Sequence, residues 1–185
     1  MTLADSEFDR RARGIRLAVF DVDGVLTDGR LTLDEAGRES KSFHSRDGLG
    51  LKALMHEGIG VALITARTSR IVEIRAAELG IERVMQGRED KAAALSELLA
   101  ASSLDTRETC YAGDDLVDWP VLQACALSMA PADADGWIRS RVDYVAPEPG
   151  GRGAVRAMCE RLLLGRGQLD AFRQRFEPDP GPNDP

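Results

Sequence analysis

The chain has 185 residues, enough for one domain with a sizeable core and short for two. Its 31 Asp and Glu outnumber 24 Lys and Arg for a formal net charge of −7, which argues against sequence-independent nucleic-acid binding, a task that needs many phosphate-neutralising cations. A hydrophobic fraction of 43% suits an ordinary globule, no apolar run approaches the roughly 18 residues of a membrane span, and Cys110, Cys125 and Cys159 lie far apart with no C-x-x-C pair, so neither a disulfide framework nor a zinc site is expected.

Residues 1–14 are polar, mixing Asp5, Glu7 and Asp9 with Arg10, Arg11 and Arg13, and lack the apolar stretch of a signal peptide. They read as an N-terminal extension, and the protein as cytoplasmic with reduced thiols. The first buried strand, 16–20, stops at Asp21. Residues 29–43 then break the pattern: 31–33, a four-residue turn at 34–37, and 39–43 read as an inserted β-hairpin. A helix over 49–57 ends at Gly58, a residue suited to a left-handed C-terminus. The strand 60–64 stops at Thr65. A helix over 69–79 carries Ile71, Ile74 and Leu79 on one face and ends at Gly80; 83–86 is a weaker strand. The helix 91–101 follows Asp90, an N-cap residue. After the strand 109–112 comes a helix over 116–124, whose Pro120 needs a first turn or a kink. Segments 127–129 and 144–145 are short strands, and the helix 153–164 carries Val155, Met158, Leu162 and Leu163. Residues 177–185 hold four of the eight prolines and read as a disordered tail. Continuous apolar strands alternating with helices predict an α/β fold with a doubly wound parallel sheet and right-handed crossovers, one domain over 15–176.

The sharpest chemical feature is Asp21-Val-Asp-Gly-Val-Leu-Thr27, directly after a buried strand. Ligands of such sheets collect beyond the carboxyl ends of the strands. In extended backbone Asp21 and Asp23 point to one side, and two close carboxylates are costly unless they share a cation or a proton. Oxygen-only ligands favour Mg²⁺. A second acidic cluster, Gly113-Asp114-Asp115-Leu-Val-Asp118, follows another strand end, with Thr65 and Lys91 between the two. A lysine at a helix N-terminus, where the dipole is already positive, makes sense when it faces an anion.

In order these are D-x-D, Thr, Lys and G-D-D-x-x-D, each at the end of an element. The order and spacing resemble the haloacid dehalogenase superfamily of phosphotransferases over roughly residues 15 to 165. The resemblance implies a Rossmann-like core with Asp21 as nucleophile, forming an aspartyl phosphate, and Asp23 as the group that protonates the leaving alkoxide and then deprotonates water. It implies Mg²⁺ bound by the Asp21 carboxylate, the Asp23 main-chain carbonyl and Asp114, with Asp115 and Asp118 orienting those ligands and Thr65 hydrogen-bonding the phosphoryl group. Lys91 and Mg²⁺ offset the repulsion between carboxylate and phosphate, about 4 kcal/mol per charge pair at 4 Å in an effective dielectric of about 20. Ala66 departs from the pattern, since many relatives have Gly after the Thr.

Finer motifs, Phe43-His-Ser-Arg-Asp-Gly-Leu-Gly50, Ile64-Thr-Ala-Arg67, Gly113 to Pro120 and Gly150-Gly-Arg-Gly-Ala-Val-Arg156, are similar to a branch of the superfamily, the phosphatases of 3-deoxy-D-manno-octulosonate 8-phosphate. That branch is tetrameric and Mg²⁺-dependent and serves lipopolysaccharide biosynthesis. The resemblance places His44, Ser45, Arg46, Asp47, Gly48, Lys52, Arg67, Arg75 and Lys91 in the substrate site with Asp23, and Arg152 in reach of a neighbour's site. Many relatives carry Arg at the Lys52 position, and Lys lacks its bidentate fork. The chain has no room for a cap domain, so a neighbouring subunit is the expected cover, with Leu31, Leu33 and Phe43 of the hairpin as an assembly surface; a local flap on a monomer is the simpler alternative. Phosphatases of 9-phosphorylated nonulosonic acids, which lack the Arg46 and Arg67 positions, are the nearest other reading. A phospho-accepting signalling domain is a further one, although its acids come in a different order. Several residues also have plain structural readings: His44 as a partly exposed loop residue, Arg75 in helix ion pairs with Glu73 and Glu78, His56 on a solvated helix face, Trp119 and Trp137 in core or interface, Cys110 as a buried small hydrophobe, Asp28 and Asp34 in turns.

Overall fold

The structure, a computed structural model, describes residues 3–177. In chain order it contains α1 (Asp5–Ala12), β1 (Leu17–Phe20), β2 (Thr32–Leu33), β3 (Glu39–Ser40), α2 (Ser45–His56), β4 (Gly60–Ile64), α3 (Arg70–Leu79), β5 (Arg83–Met85), α4 (Lys91–Ser102), β6 (Thr109–Ala112), α5 (Trp119–Leu122), β7 (Leu127–Ala130), α6 (Gly136–Arg139), β8 (Tyr144–Val145), α7 (Ala154–Gly165) and α8 (Leu169–Gln174). Six strands form one parallel sheet in the order β5-β4-β1-β6-β7-β8. The expected doubly wound α/β fold is what the chain adopts.

Strand alternation sorts the core into two layers. Ala18 and Phe20 of β1, with Val61, Leu63, Cys110, Ala112, Leu127 and Met129, face the layer built by α1, α2, α3, α7 and α8. Leu17 and Val19, with Ala62, Ile64, Tyr111 and Ala130, face α4, α5 and α6. Both faces of each central strand are covered, which is why these strands read as unbroken apolar runs. The chain winds outward through β4 and β5, returns to β6 on the other side of β1, and then continues to β7 and β8. The direction of winding reverses beside β1, so the loops after β1, β4 and β6 open on one crevice.

The hairpin is a separate antiparallel pair, Thr32 with Ser40 and Leu33 with Glu39. Its second strand is shorter than the expected 39–43, because the ladder ends at Ser40 and the Lys41 side chain is buried against Asp23. Asp34 makes the turn, accepting from the Ala36 and Arg38 amides.

The N-terminal stretch, expected as a polar extension, folds as α1 and buries Phe8 and Ala12 against α7. Its charges did not signal this, since only two of its eight residues reach the core, yet burying one Phe contributes about 2 kcal/mol. Arg161 of α7 lies over the Phe8 ring at 4.0 Å and pairs with Asp9 at 2.6 Å. Helix α2 starts four residues before the expected 49, because His44 caps it. Two short helices were not foreseen: α6, capped by the Asp135 carboxylate on the Trp137 and Ile138 amides, and α8, which buries Leu169 and Phe172. Pro120 sits in the first turn of α5, after a 3₁₀ turn at Leu116–Asp118, as Pro chemistry requires. The expected tail from 178 onward lies outside the described residues.

Candidate active site

Asp21 follows the last residue of β1 and is held from both directions. Its amide donates to the Ala112 carbonyl at 2.9 Å, and its Oδ1 accepts from the Val22 amide at 2.7 Å. Its Oδ2 lies 2.8 Å from Lys91 Nζ, which reaches in from the first residue of α4. The same ammonium donates to Asp118 Oδ1 at 2.7 Å. Asp118 is fully buried and spends all its acceptor capacity: Oδ1 also accepts from the Tyr111 hydroxyl at 2.7 Å, and Oδ2 from the amides of Asp114 and Asp115 at 3.1 and 3.3 Å. One carboxylate therefore fixes the lysine and the acidic loop together. Asp115 is exposed, and its Oδ1 accepts from the Leu116 amide, capping the 3₁₀ turn that presents Asp118.

Thr65 is buried at the end of β4, its amide donating to Met85 and its Oγ1 accepting from the Arg67 amide. Asp21, Asp23, Thr65, Arg67, Lys91 and Asp114 line one open cavity, along with Ala66, Asp115 and the apolar Leu31 and Val117. Asp23 accepts from Lys41, whose side chain is 1% exposed and which also lies 3.2 Å from Glu39.

Carboxyl oxygens of Asp21, Asp114 and Asp118 all fall within 4.8 Å of one another. Three carboxylates against the single Lys91 ammonium leave two negative charges uncompensated. Burial and the Asp118 charge accordingly push Asp21 up to about 7, against the pull of Lys91; an ordinary carboxylate, as expected for it from sequence, would be ionised well below that. Burial with Asp21 and Asp118 pushes Asp114 up to about 8. Burial pulls Lys91 down, but the two carboxylates outweigh it and hold the ammonium above its usual value. The excess charge and the all-oxygen donor set fit a hard divalent cation. Asp118 is committed to four donors, so Asp21 and Asp114 are the side chains left for it. Gly24 makes room here: it has φ +86°, and a Cβ on it would come within 2.1 Å of Asp114 Oδ2.

The residues expected to bind substrate are dispersed. Arg67 lines the cavity and pairs with Glu39 at 3.0 Å. His44, Asp47, Gly48 and Arg75 line a second, apolar cleft between α2 and α3 with Phe43 and Leu51. There His44 Nδ1 accepts from the Arg46 amide as the cap of α2, and Arg75 pairs with Glu78 at 2.8 Å. Asp47 is buried; its Oδ1 accepts from the Arg156 amide in the first turn of α7, and its Oδ2 has no partner. Burial raises its carboxyl despite that amide. Arg46 lines a third cleft with Glu148, Arg156 and Glu160. Ser45, Lys52 and Arg152 are exposed. The loop before Arg152 is pressed onto the Asp21–Thr27 turn: a Cβ on Gly150 would fall 1.9 Å from the Gly24 carbonyl oxygen.

Tyr111, Glu39 and Lys41 were missed. A Tyr inside a buried strand needs a partner for its hydroxyl, which was a signal for Tyr111. The alternation of Glu39, Lys41 and Phe43 with Ser40 and Ser42 was the signal for the other two. The plain readings of His56, Cys110, Asp28 and Asp34 fit: His56 is exposed, Cys110 is buried with its thiol raised by burial, and both aspartates accept from amides two residues on. Among the described residues no helix is long and apolar enough to cross a membrane.

No protein-family model matches the chain. Sequence comparison finds 3-deoxy-D-manno-octulosonate 8-phosphate phosphatase KdsC of Escherichia coli strain K12, 46% identical over 160 residues, which are 86% of this chain and 85% of that protein. Among solved structures, that of 3-deoxy-D-manno-octulosonate 8-phosphate phosphatase from Moraxella catarrhalis, in complex with a magnesium ion, a phosphate ion and a KDO molecule, is 38% identical with a TM-score of 0.90, covering 93% of this chain and 99% of that one. The cobalt-bound form of the Haemophilus influenzae deoxy-D-mannose-octulosonate 8-phosphate phosphatase is 41% identical with a TM-score of 0.84, covering 88% and 95%.

Proposed function

Because the chain belongs to the 3-deoxy-D-manno-octulosonate 8-phosphate phosphatase family of the haloacid dehalogenase superfamily, we propose that this phosphoric monoester hydrolase acts on that sugar-acid phosphate, releasing 3-deoxy-D-manno-octulosonate and phosphate for lipopolysaccharide biosynthesis in the cytoplasm. The observation that carries the reading is the convergence of Asp21, Thr65, Lys91 and Asp114 on one cavity at the carboxyl ends of parallel strands.

A carboxylate oxygen of Asp21 attacks phosphorus while the bond from phosphorus to the C8 oxygen breaks, leaving an aspartyl phosphate. Asp23 gives its proton to the departing sugar oxygen. It then takes a proton from the water that attacks phosphorus, which frees inorganic phosphate and restores the Asp21 carboxylate. Lys91, already on Asp21, offsets the repulsion between nucleophile and phosphate, and the Thr65 hydroxyl donates to the phosphoryl group. Mg²⁺, which Asp21, the Asp23 main-chain carbonyl and Asp114 would hold, supplies further positive charge at the phosphoryl oxygens. Asp115 and Asp118 keep the acidic loop in place. Arg67 is the nearest candidate for the substrate carboxylate. The placing of His44, Arg46, Asp47, Gly48 and Arg75 in other clefts, with Ser45, Lys52 and Arg152 exposed, supports contacts from a neighbouring subunit of a homotetramer, with the exposed Leu31 and Leu33 of the hairpin at its interface.

Phosphate release is measured with Mg²⁺ on eight-carbon and nine-carbon sugar-acid phosphates. The eight-carbon ester is expected to turn over fastest, and Asp21→Asn to lose on the order of 10⁴-fold or more. Full activity in that variant would sink the nucleophile assignment; equal rates across the panel would refute the substrate while leaving the chemistry.

A further inference from the structure

Behind Asp23, which lines the cavity, lies a cation that the reaction above does not use. The Lys41 side chain, just after the hairpin's second strand, is 1% exposed and donates to Asp23 Oδ1, while its partners Asp23 and Glu39 keep 20% and 16% exposure. An ammonium withdrawn from water this far persists only when its partners repay the desolvation. Lys41 has two, and one is the carboxylate assigned to proton transfer. Glu39, the other, shares its Oε1 between Lys41 at 3.2 Å and Arg67 at 3.0 Å.

We propose that Lys41 is a positioning residue for the proton-transfer step: by occupying Asp23 Oδ1 it fixes the rotamer of that carboxyl group and leaves Oδ2 to deliver the proton to the departing sugar oxygen. This rests on the phosphomonoesterase reading and deepens it. An unpinned carboxyl can rotate about two side-chain bonds, and general acid catalysis needs the acid within hydrogen-bond reach of the leaving oxygen. The same contact ties the inserted hairpin to the catalytic loop, so the hairpin takes part in the chemistry as well as covering it.

The test exploits what Asp23 does. A sugar alkoxide leaves poorly and needs the proton, whereas nitrophenolate leaves unaided. First-turnover rates and steady-state constants are measured for wild type, Lys41→Met and Lys41→Arg with 3-deoxy-D-manno-octulosonate 8-phosphate and with p-nitrophenyl phosphate. In the first turnover, which precedes the attack of water, Lys41→Met is expected to lose on the order of 100-fold on the sugar ester and less than about fivefold on the nitrophenyl ester. KM for the sugar ester should stay within about threefold, and Lys41→Arg should recover most of the loss. Equal losses on both esters would make Lys41 merely structural, and a raised KM with unchanged kcat would place its action on Arg67; either overturns the proposal, as does no loss at all. If Lys41→Met fails to fold, Lys41→Gln, which keeps a neutral donor, is read in the same way. Wild-type enzyme that spares the eight-carbon ester defeats the substrate assignment alone, and the nine-carbon ester, also an alkyl phosphate, then serves for Lys41; wild type inert on every ester defeats both.

Discussion

The floor of the cavity and its rim are built on opposite principles. On the floor, Asp21, Lys91, Asp118 and Tyr111 are buried and joined one to the next by contacts of 2.7 to 2.8 Å, and they come from the residue after β1, the start of α4, the turn after β6 and β6 itself. The rim, counting the neighbouring cleft between α2 and α3 with it, consists of long side chains that reach towards water: Arg67 is 45% exposed, and Arg75, itself 20% exposed, pairs with Glu78, which is 65% exposed. Charges in the first setting feel little water and couple strongly, whereas those in the second are screened. The floor can hold one geometry, while a change at the rim endangers the fold far less. On the proposed function, the floor carries the reaction class and the rim the substrate preference.

Cutting one ion pair in each region tests the contrast, and here the largest effect is expected. Asp118→Ala removes a charge from Lys91 and a partner from the Tyr111 hydroxyl and leaves two amides without their acceptor, so it should cost about 3 kcal/mol and most of the phosphatase activity. Glu78→Ala removes only an exposed i,i+3 partner of Arg75 and should cost less than about 0.5 kcal/mol. Urea unfolding of both variants measures the two costs. Similar values would mean that burial does not separate floor from rim.

Much of the floor was legible in the sequence because each residue there sits where an apolar run stops. Asp21 ends the run of β1, Thr65 that of β4 and Asp114 that of β6, and a strand end in a parallel sheet is a fixed place. Lys91 was legible for the same reason, at the start of a helix whose N-cap, Asp90, could be read. Depth in the core was harder to see. Tyr111 looked like one more apolar residue of its strand, and its hydrogen bond to Asp118 depends on a turn that the chain pattern shows only as a helix with a proline. The rim was read by resemblance, and resemblance names residues without saying where their heads go. Asp47 caps α7 from another helix, and His44 caps α2; both are tertiary or local hydrogen bonds that carry no periodic signal. Helix α1 escaped because its two core residues are surrounded by charge.

A metal-dependent stability should separate floor from rim by pH. Asp21 and Asp114 titrate near 7 and 8 in the fold and near 4 when unfolded. Between those values the two groups bind more protons in the metal-free fold than in the unfolded chain, so the stability they contribute is fully present below about pH 4 and is lost as pH rises through about 8. Mg²⁺ needs the ionised carboxylates and must displace those protons, so its stabilisation grows over the same window. At 100 times its dissociation constant near pH 8, Mg²⁺ should add about 2.7 kcal/mol, and near pH 5 far less. Thermal melts with Mg²⁺ or with a chelator at the two pH values measure this. A Mg²⁺ shift that is the same at both would show that the floor is not short of positive charge.

A smaller effect than that of the metal is expected at His44, which caps α2 and is proposed to touch substrate as well. Its Nδ1 accepts from the Arg46 amide at 3.2 Å, which leaves Nε2 for a ligand. Loss of an N-cap costs about 1 kcal/mol, and Asn is a good replacement. His44→Ala should therefore lower stability by about that much, and His44→Asn should restore it. Asn is too short to replace Nε2, so if the imidazole also touches substrate, KM should stay raised in both variants by about fivefold, the equivalent of one hydrogen bond of about 1 kcal/mol. Recovery of stability and KM together in His44→Asn would make His44 a cap and nothing more, and would move the substrate-facing part of the rim to Arg67 and Arg75.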